Sequence, residues 1–360
     1  TLIILLILIF AFFLSFFLIP ISQNIGWKLS IIDNAELRKI NHSNKPRSGG
    51  VAITLSCFGT LLLTSILQHF LNINLLDYDL LKILFGTTFF FFICGLSDDK
   101  FNLSPFLRLG AQIFISIVAW EAGIRIISIN APLLQDLIPT INLPYYLSLI
   151  ISVMWLCGVT NAINWMDGKD GLAAGISIII LCNIGYLGFV SGNYTIALYS
   201  LIIVFSTSAF FIFNYFPSSI LMGDGGSYFL GSNIALLSIL VDNNYIDVIS
   251  LYSLNLNPIS SMLFLTIPII DMAYVIFSRL KKRKSPFHPD RSHIHHRLED
   301  EFGFSGKDTV SLLLISTIFF NSFNLISQNK FFSLCLAFLS FVLIIFKTKK
   351  LFKFKKRYWD

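Results

Sequence analysis

Between Asn161 and Leu172 the chain reads N-A-I-N-W-M-D-G-K-D-G-L, two carboxylates and two carboxamides set in a connector between long apolar runs. Polar groups are expensive beside hydrocarbon, so a cluster retained there points to chemistry. Asp167 and Asp170 are three apart, and on a helix that spacing places both carboxylates on one face with Asn164. Gly168 and Gly171 would let a ligand approach the backbone. A polar loop kept for solubility alone would not carry Trp165 and Met166 between its polar groups.

Three further clusters have residue types suited to anionic substrates. In G-L-S-D-D-K, Gly95 to Lys100, the adjacent carboxylates of Asp98 and Asp99 repel, so keeping both implies a cation or a shared proton. The bland alternative is a hydrophilic helix end. In L-M-G-D-G-G-S, Leu221 to Ser227, glycine-rich backbone opening a helix offers N–H groups to a phosphate, and Asp224 could hold its magnesium. A glycine turn capped by aspartate is equally compatible with that segment alone. In D-R-S-H-I-H-H-R, Asp290 to Arg297, a zinc reading of His293, His295 and His296 lacks supporting cysteines. Neutralisation of a diphosphate, with Arg291, fits better. Lys45 and Arg47, before Gly49 and Gly50, could grip a lipid phosphate at headgroup level or serve as a plain positive anchor. His42 and His69 read as structural. Asp271 lies inside an apolar run, and the sequence offers it no partner.

The elements that must position these residues follow from composition. Hydrophobic residues make up 55% of the chain and charged ones 13%, with a mean hydropathy of +0.75. A soluble domain carries roughly 25% charged residues. The chain therefore reads as an all-α, polytopic membrane protein forming a single domain over residues 1–360, with a basic tail at 347–360. Apolar runs at about 2–21, 50–68, 80–97, 105–122, 145–160, 171–190, 195–213, 227–241, 259–278, 310–327 and 331–346 predict about eleven transmembrane helices. The first run has neither a basic leader nor a cleavage site, and is read as a retained helix. The five cysteines stand singly among apolar residues, which argues against a zinc site or a disulfide framework.

Of the 26 basic residues, all but Lys82, Arg108, Arg125 and Lys330 fall in alternate connectors. By the positive-inside rule those connectors face the cytoplasm. All four polar clusters and the Lys45–Arg47 segment share that face, so one cytoplasmic-face site is expected, with Arg108 beside it.

Together these residues resemble the polyprenyl-phosphate N-acetylhexosamine-1-phosphate transferases. The resemblance runs in order from about Asp33 to Leu298. It comprises R-K-I-N-H, K-P-R-S-G-G-V-A-I, the D-D pair, N-x-x-N-x-x-D-G-x-D-G-L-A, M-G-D-G-G-S-Y-F-L-G, P-I-I-D and S-P-F-H-P-D-R-S-H-I-H-H-R-L. The H-I-H-H form resembles the branch that uses UDP-N-acetylhexosamines, whereas the muramoyl-pentapeptide branch shows adjacent histidines. Two positions depart from the pattern. Asn41 stands where many members have histidine, and Lys169 where an aliphatic residue is common.

The resemblance implies transfer of a sugar 1-phosphate from a UDP-N-acetylhexosamine, N-acetylglucosamine or a relative, to polyprenyl phosphate, releasing UMP. That reaction would begin lipid-linked envelope glycan synthesis at a bacterial cytoplasmic membrane. The expected cofactor is magnesium, with manganese as its substitute. Asp224 is the expected main ligand and Asn164 the second. Asp98, Asp99, Asp167, Asp170 and His295 are the expected catalytic residues, and Lys45, Arg47, Arg108, Asn161, Asn164, Arg291, His293 and His296 the expected substrate contacts. Expected partners are the lipid, the nucleotide sugar and the membrane, with a homodimer as the candidate assembly and no nucleic acid. A transporter with an acidic ion path is the rival from another class, but most acids here lie in connectors on one side. Muramoyl-pentapeptide transfer is the rival within the family. A CDP-alcohol phosphatidyltransferase would need D-G-x-x-A-R, and D-G-L-A-A-G after Asp170 does not supply it.

Overall fold

The computed structural model describes residues 2–33, 44–129, 141–248, 264–286 and 291–322, with the backbone alone for 242–248. The expected span at 331–346, the tail at 347–360, Asn41, His42 and Asp290 lie outside the described residues.

Apolar side chains surround most helices on every face, as expected where one side meets lipid and the other meets protein. The helices are α1 (Leu2–Lys28), α2 (Gly49–Leu71), α3 (Tyr78–Phe101), α4 (Pro105–Glu121), α5 (Tyr145–Met166), α6 (Leu172–Val190), α7 (Tyr194–Asn214), α8 (Gly223–Val248), α9 (Thr266–Lys281), α10 (Ile294–Asp300) and α11 (Gly306–Asn321). Two short antiparallel pairs accompany them, β1 (Ile32–Asp33) with β2 (Lys45–Pro46) and β3 (Ser128–Ile129) with β4 (Ile141–Asn142). Local chemistry sets the ends. The Asp77 carboxylate accepts the Asp79 and Leu80 N–H groups at the start of α3, which stops at Asn102 in a left-handed conformation. Ser104 caps α4, with Pro105 in the first turn.

Ten of the expected apolar runs are helical where they are described, but their limits and the number of described spans differ. Among the described residues six helices, α1, α2, α3, α5, α6 and α7, are long and apolar enough to cross a membrane. Helix α4 has 17 residues, and the described parts of α9 and α11 have 16 each, against the roughly 20 of a typical span. Helix α5 continues to Met166, so Asn161 and Asn164 lie on a helix and not in a connector. Inside the basic connector, α10 carries His295 and His296.

Helix α8 occupies the centre, packed against α3, α5, α2 and α6. Phe229, Leu230, Ile234, Ala235, Leu236 and Leu237 on it are fully buried. Its first turn is approached so closely that glycine is required on both neighbours. A Cβ on Gly95 of α3 would stand 2.2 Å from the Asp224 carbonyl oxygen, and one on Gly50 of α2 would stand 2.2 Å from the Gly226 nitrogen. Backbone cannot yield as a flexible side chain can. Gly95→Ala is therefore expected to destabilise the protein by about 1–3 kcal/mol, read as a lowered thermal midpoint in detergent. Gly110→Ala, where an added Cβ meets nothing within 4 Å, should leave the midpoint unchanged.

Candidate active site

The site is built around the first turn of α8. A backbone zipper brings the segment before α2 to it. Leu221 N–H donates to the Pro46 carbonyl, Gly49 N–H to Leu221 and Gly50 N–H to Met222, each at 2.9 Å. Gly223 has φ of +77° and lies against the Arg47 carbonyl, where a Cβ would come within 2.3 Å. Asp99 then caps α8 from α3, its Oδ2 accepting the Gly225 N–H at 2.9 Å. The N–H expected to meet a phosphate is thus already taken by a carboxylate.

Two arginines and one carboxamide join the acids into a network. Arg47 places Nη2 3.1 Å from Asp224 Oδ1 and Nε 3.4 Å from Asp99 Oδ1. Arg108, on α4, binds Asp98 Oδ2 and stands 3.8 Å from Asp224 Oδ2. Asp98 also accepts the Leu103 N–H at 2.8 Å. From α5, the Asn164 amide donates to Asp224 Oδ1 and Ser227 Oγ, both at 2.9 Å. Burial works against the Arg47 charge, but Asp224, Asp99, Asp167 and Asp33 outweigh it and hold the guanidinium pKa above its ordinary value.

Asp167 and Asp170 do not share a helix face as their spacing had predicted. Helix α5 stops at Asp167, and the chain turns through Gly171, at φ +79°, whose N–H donates to Asn214 Oδ1 at 3.0 Å. The turn gives the two acids different surroundings. Asp170 Oδ2 accepts the Ser218 N–H at 3.0 Å and lies 3.4 Å from Lys45 Nζ, which also donates to Ser218 Oγ at 2.7 Å. Lys45 is therefore engaged by the protein. Asp167 makes no side-chain hydrogen bond among the described residues. Removal from solvent raises its pKa well above the ordinary carboxylate value; Arg47 opposes this, while Asp224, Asp99 and Asp170 reinforce it.

The histidines close the same turn from α10. His295 is 1% exposed, and its Nε2 lies where a Cβ on Gly168 would come within 2.6 Å. A second tie joins Lys169 Nζ to Glu299 at 2.6 Å, which gives the unusual lysine a partner. Burial pushes the His295 pKa far down, helped by His296, His293, Lys169 and Arg291. His296 is lowered to about 4 by burial, then by Arg291 and Lys169. His293 donates toward Asp271, with Nδ1 2.8 Å from Oδ2.

Two expected substrate contacts are engaged elsewhere. Arg291 forms a two-pronged pair with Asp300, both bonds 2.9 Å, and Asn161 donates to Gln112 on α4 at 2.6 Å. The network also recruits Ser218, Gln112 and Glu299, which no motif had marked. Their partners are 48, 49 and 130 residues away in the chain, so local spacing holds no trace of them. Ser227 was visible only as the end of the glycine cluster.

A multi-pass helical bundle that gathers carboxylates, guanidiniums and neutral histidines at one end belongs with membrane enzymes acting on anionic substrates. Comparison with known proteins narrows this. A glycosyl transferase family 4 model matches residues 81–242. The probable undecaprenyl-phosphate N-acetylglucosaminyl 1-phosphate transferase of Bacillus subtilis is 32% identical over 327 residues, covering 91% of this chain and 85% of that protein. The decaprenyl-phosphate N-acetylglucosaminephosphotransferase of Mycobacterium leprae is 29% identical, covering 80% and 77%. The undecaprenyl-phosphate alpha-N-acetylglucosaminyl 1-phosphate transferase of Escherichia coli K12 is 24% identical, covering 85% and 79%. The chain belongs to glycosyl transferase family 4, and is a transferase.

The electrostatics carry two signed expectations. A raised carboxylate pKa means that the folded chain holds the Asp167 proton more tightly than the unfolded one, so ionisation costs stability as pH rises above the ordinary 3.8. Asp167→Asn should therefore raise the thermal midpoint at neutral pH, and the gain should vanish near pH 4. The lowered histidine values act in the opposite sense. Stability from neutral His295 and His296 is complete above the unfolded value of 6.5 and is lost as pH falls toward the folded values. The Asp167 effect acts against this over the same window, so the histidine share is read by difference: between pH 7 and pH 4 the thermal midpoint of the double variant His295→Gln, His296→Gln should fall less, or rise more, than that of the wild-type protein.

Proposed function

We propose that the protein transfers N-acetylglucosamine 1-phosphate, or a closely related N-acetylhexosamine 1-phosphate, from its UDP donor to a polyprenyl phosphate. UMP is released, and the product is a polyprenyl diphosphate sugar. The observation that carries this reading is the convergence of Asp98, Asp99, Asn164, Asp167, Asp224 and His295 on one end of the bundle. A water-soluble donor and a lipid acceptor can meet at such a place. The names of the relatives support the substrate class, and the charge pattern of the connectors supports a site facing the cytoplasm.

In the direct reaction an acceptor phosphate oxygen attacks the phosphorus that bears the sugar. The bond from that phosphorus to the bridging oxygen breaks, and UMP carries the electron pair away. A phosphate monoester is already a competent nucleophile and needs no covalent relay. Asp167, whose side chain makes no hydrogen bond among the described residues, lies at the turn beside the cluster and positions the donor. Arg47 and Arg108 screen the two phosphates as they approach. His295, kept neutral, presents an uncharged ring at the Gly168 backbone.

A divalent cation suits this donor set. Four carboxylates, Asp98, Asp99, Asp167 and Asp224, face two guanidiniums, and the buried Asp99 Oδ1 has no hydrogen-bond donor. The described residues contain no ready cage of three or more His, Cys, Asp or Glu. Magnesium takes one or two carboxylates and completes its shell with phosphate oxygens and water. Asp224 would hold it. The Asn164 oxygen, left over when the amide nitrogen donates, would be the second protein ligand. When bound, the ion would screen and polarise the donor diphosphate.

The test is transfer from labelled UDP-N-acetylglucosamine to polyprenyl phosphate in membranes. Asp224→Asn is expected to reduce it by about 100-fold or more, while the wild-type protein should require magnesium or manganese. Near-normal, metal-independent transfer by that variant would reject the metal assignment. A panel of UDP-sugars with no transfer by the wild-type chain would reject the reaction.

A further inference from the structure

Asp271 takes no part in the acidic network, yet it is among the most thoroughly buried charged groups of the described residues. Its side chain has no exposure at all, deep on α9. A carboxylate in such a place is expensive unless each oxygen is engaged, and both are. Oδ1 accepts the Ile294 N–H, the first helical residue of α10, at 2.6 Å. Oδ2 lies 2.8 Å from His293 Nδ1. The far side of the same ring faces a donor, since His293 Nε2 is 3.5 Å from the Arg279 guanidinium. The ring is held edge-on by Trp165 of α5, centroids 5.5 Å apart, and lies parallel to His295 at 5.5 Å with 12° between the planes.

These contacts permit one tautomer. Nδ1 must carry the proton, because its neighbour is a carboxylate that can only accept. Nε2 must then be bare, which suits a guanidinium that can only donate. We propose that Asp271 is a positioning residue of the transferase site. Its carboxylate fixes the His293 tautomer and the start of α10, and through the parallel rings seats His295 on the Asp167–Gly171 turn. This rests on the transferase reading above, which does not itself assign Asp271 a role.

The isosteric change separates the two roles of this carboxylate. In Asp271→Asn, the amide oxygen can still accept from Ile294, so α10 keeps its anchor. The amide NH2 then faces His293, whose Nδ1 must turn acceptor while the proton moves to Nε2. There it meets the Arg279 donors. The helix is preserved and the ring is misdirected, a separation that a purely structural role would not produce.

The test combines kinetics with a tautomer readout on the purified full chain in detergent, labelled with 15N-histidine, using His293→Asn to assign the resonance. Asp271→Asn is expected to keep its thermal midpoint and move the His293 signal from the Nδ1–H to the Nε2–H pattern. It should also lose about 10- to 100-fold in kcat/KM for the UDP-sugar, the scale known for removing a carboxylate that orients a metal-ligating histidine. The KM for polyprenyl phosphate should stay unchanged. His293→Asn should show the same selective loss, and the double variant should be no worse than either single one. An unchanged tautomer, near-normal turnover, or equal damage toward both substrates would overturn the proposal. If Asp271→Asn does not fold, His293→Asn decides alone, because near-normal turnover there removes the role assigned to Asp271. Failure of the underlying reading is distinguishable, since the wild-type chain would then transfer no UDP-sugar while the tautomer shift would still occur.

Discussion

Everything at the site depends on keeping several carboxylates together beside a low-dielectric bundle. Like charges crowded there would force the helices apart unless fixed cations and N–H dipoles hold them. The protein supplies these from separate stretches of chain. Arg47 comes from the segment before α2, Arg108 from α4, the Gly225 N–H from the first turn of α8, and the Asn164 amide from α5. The charge network is therefore also a tertiary clamp. It joins the ends of helices that could otherwise slide past one another, since apolar surfaces facing lipid provide little directional preference.

That constraint accounts for the close approach around α8. Asp99 can reach the Gly225 N–H because α3 runs against the Asp224 backbone at Gly95, and Arg47 can lie along the same turn because Gly50 and Gly223 leave space. Small residues set the helix spacing, and that spacing sets the ion-pair distances. In this sense the glycines of the M-G-D-G-G-S segment serve the acids. They bring backbone close enough for carboxylates from other helices to be satisfied, and the positive end of α8 stabilises Asp99 as it would an anion from solution.

Much of this was legible in the residues themselves. Hydropathy located ten helical runs, and the alternation of lysine and arginine placed the polar clusters together before any contact was known. What it could not convey was the local conformation within each cluster. The Asp167–Asp170 spacing is ambiguous between a helix and a turn, and Gly171 decides it by adopting positive φ at the entry to α6. Long-range partners were equally hidden. Lys45 reads as a lipid anchor until Asp170 and Ser218 are found beside it, and Arg291 reads as a phosphate ligand until Asp300 takes both its prongs. Isolated charges in a membrane sequence identify a site well, but they do not say which are spent on architecture.

The turn after α5 shows why that division matters. Asp167 and Asp170 have the same chemistry and nearly the same address, yet one is consumed by Lys45 and the Ser218 N–H, while the other is crowded by Asp224 and Asp99 with only Arg47 to offset them. An acid in the second situation is a local liability in the resting protein, and a bundle that tolerates it must recover the cost through the surrounding clamp. His295 on Gly168 and Lys169 on Glu299 hold the turn against α10. On the proposed reaction, a cation and a diphosphate would meet this crowded group of acids. Binding those groups would convert repulsion among the acids into attraction toward the ligands, a difference that a preorganised site can use.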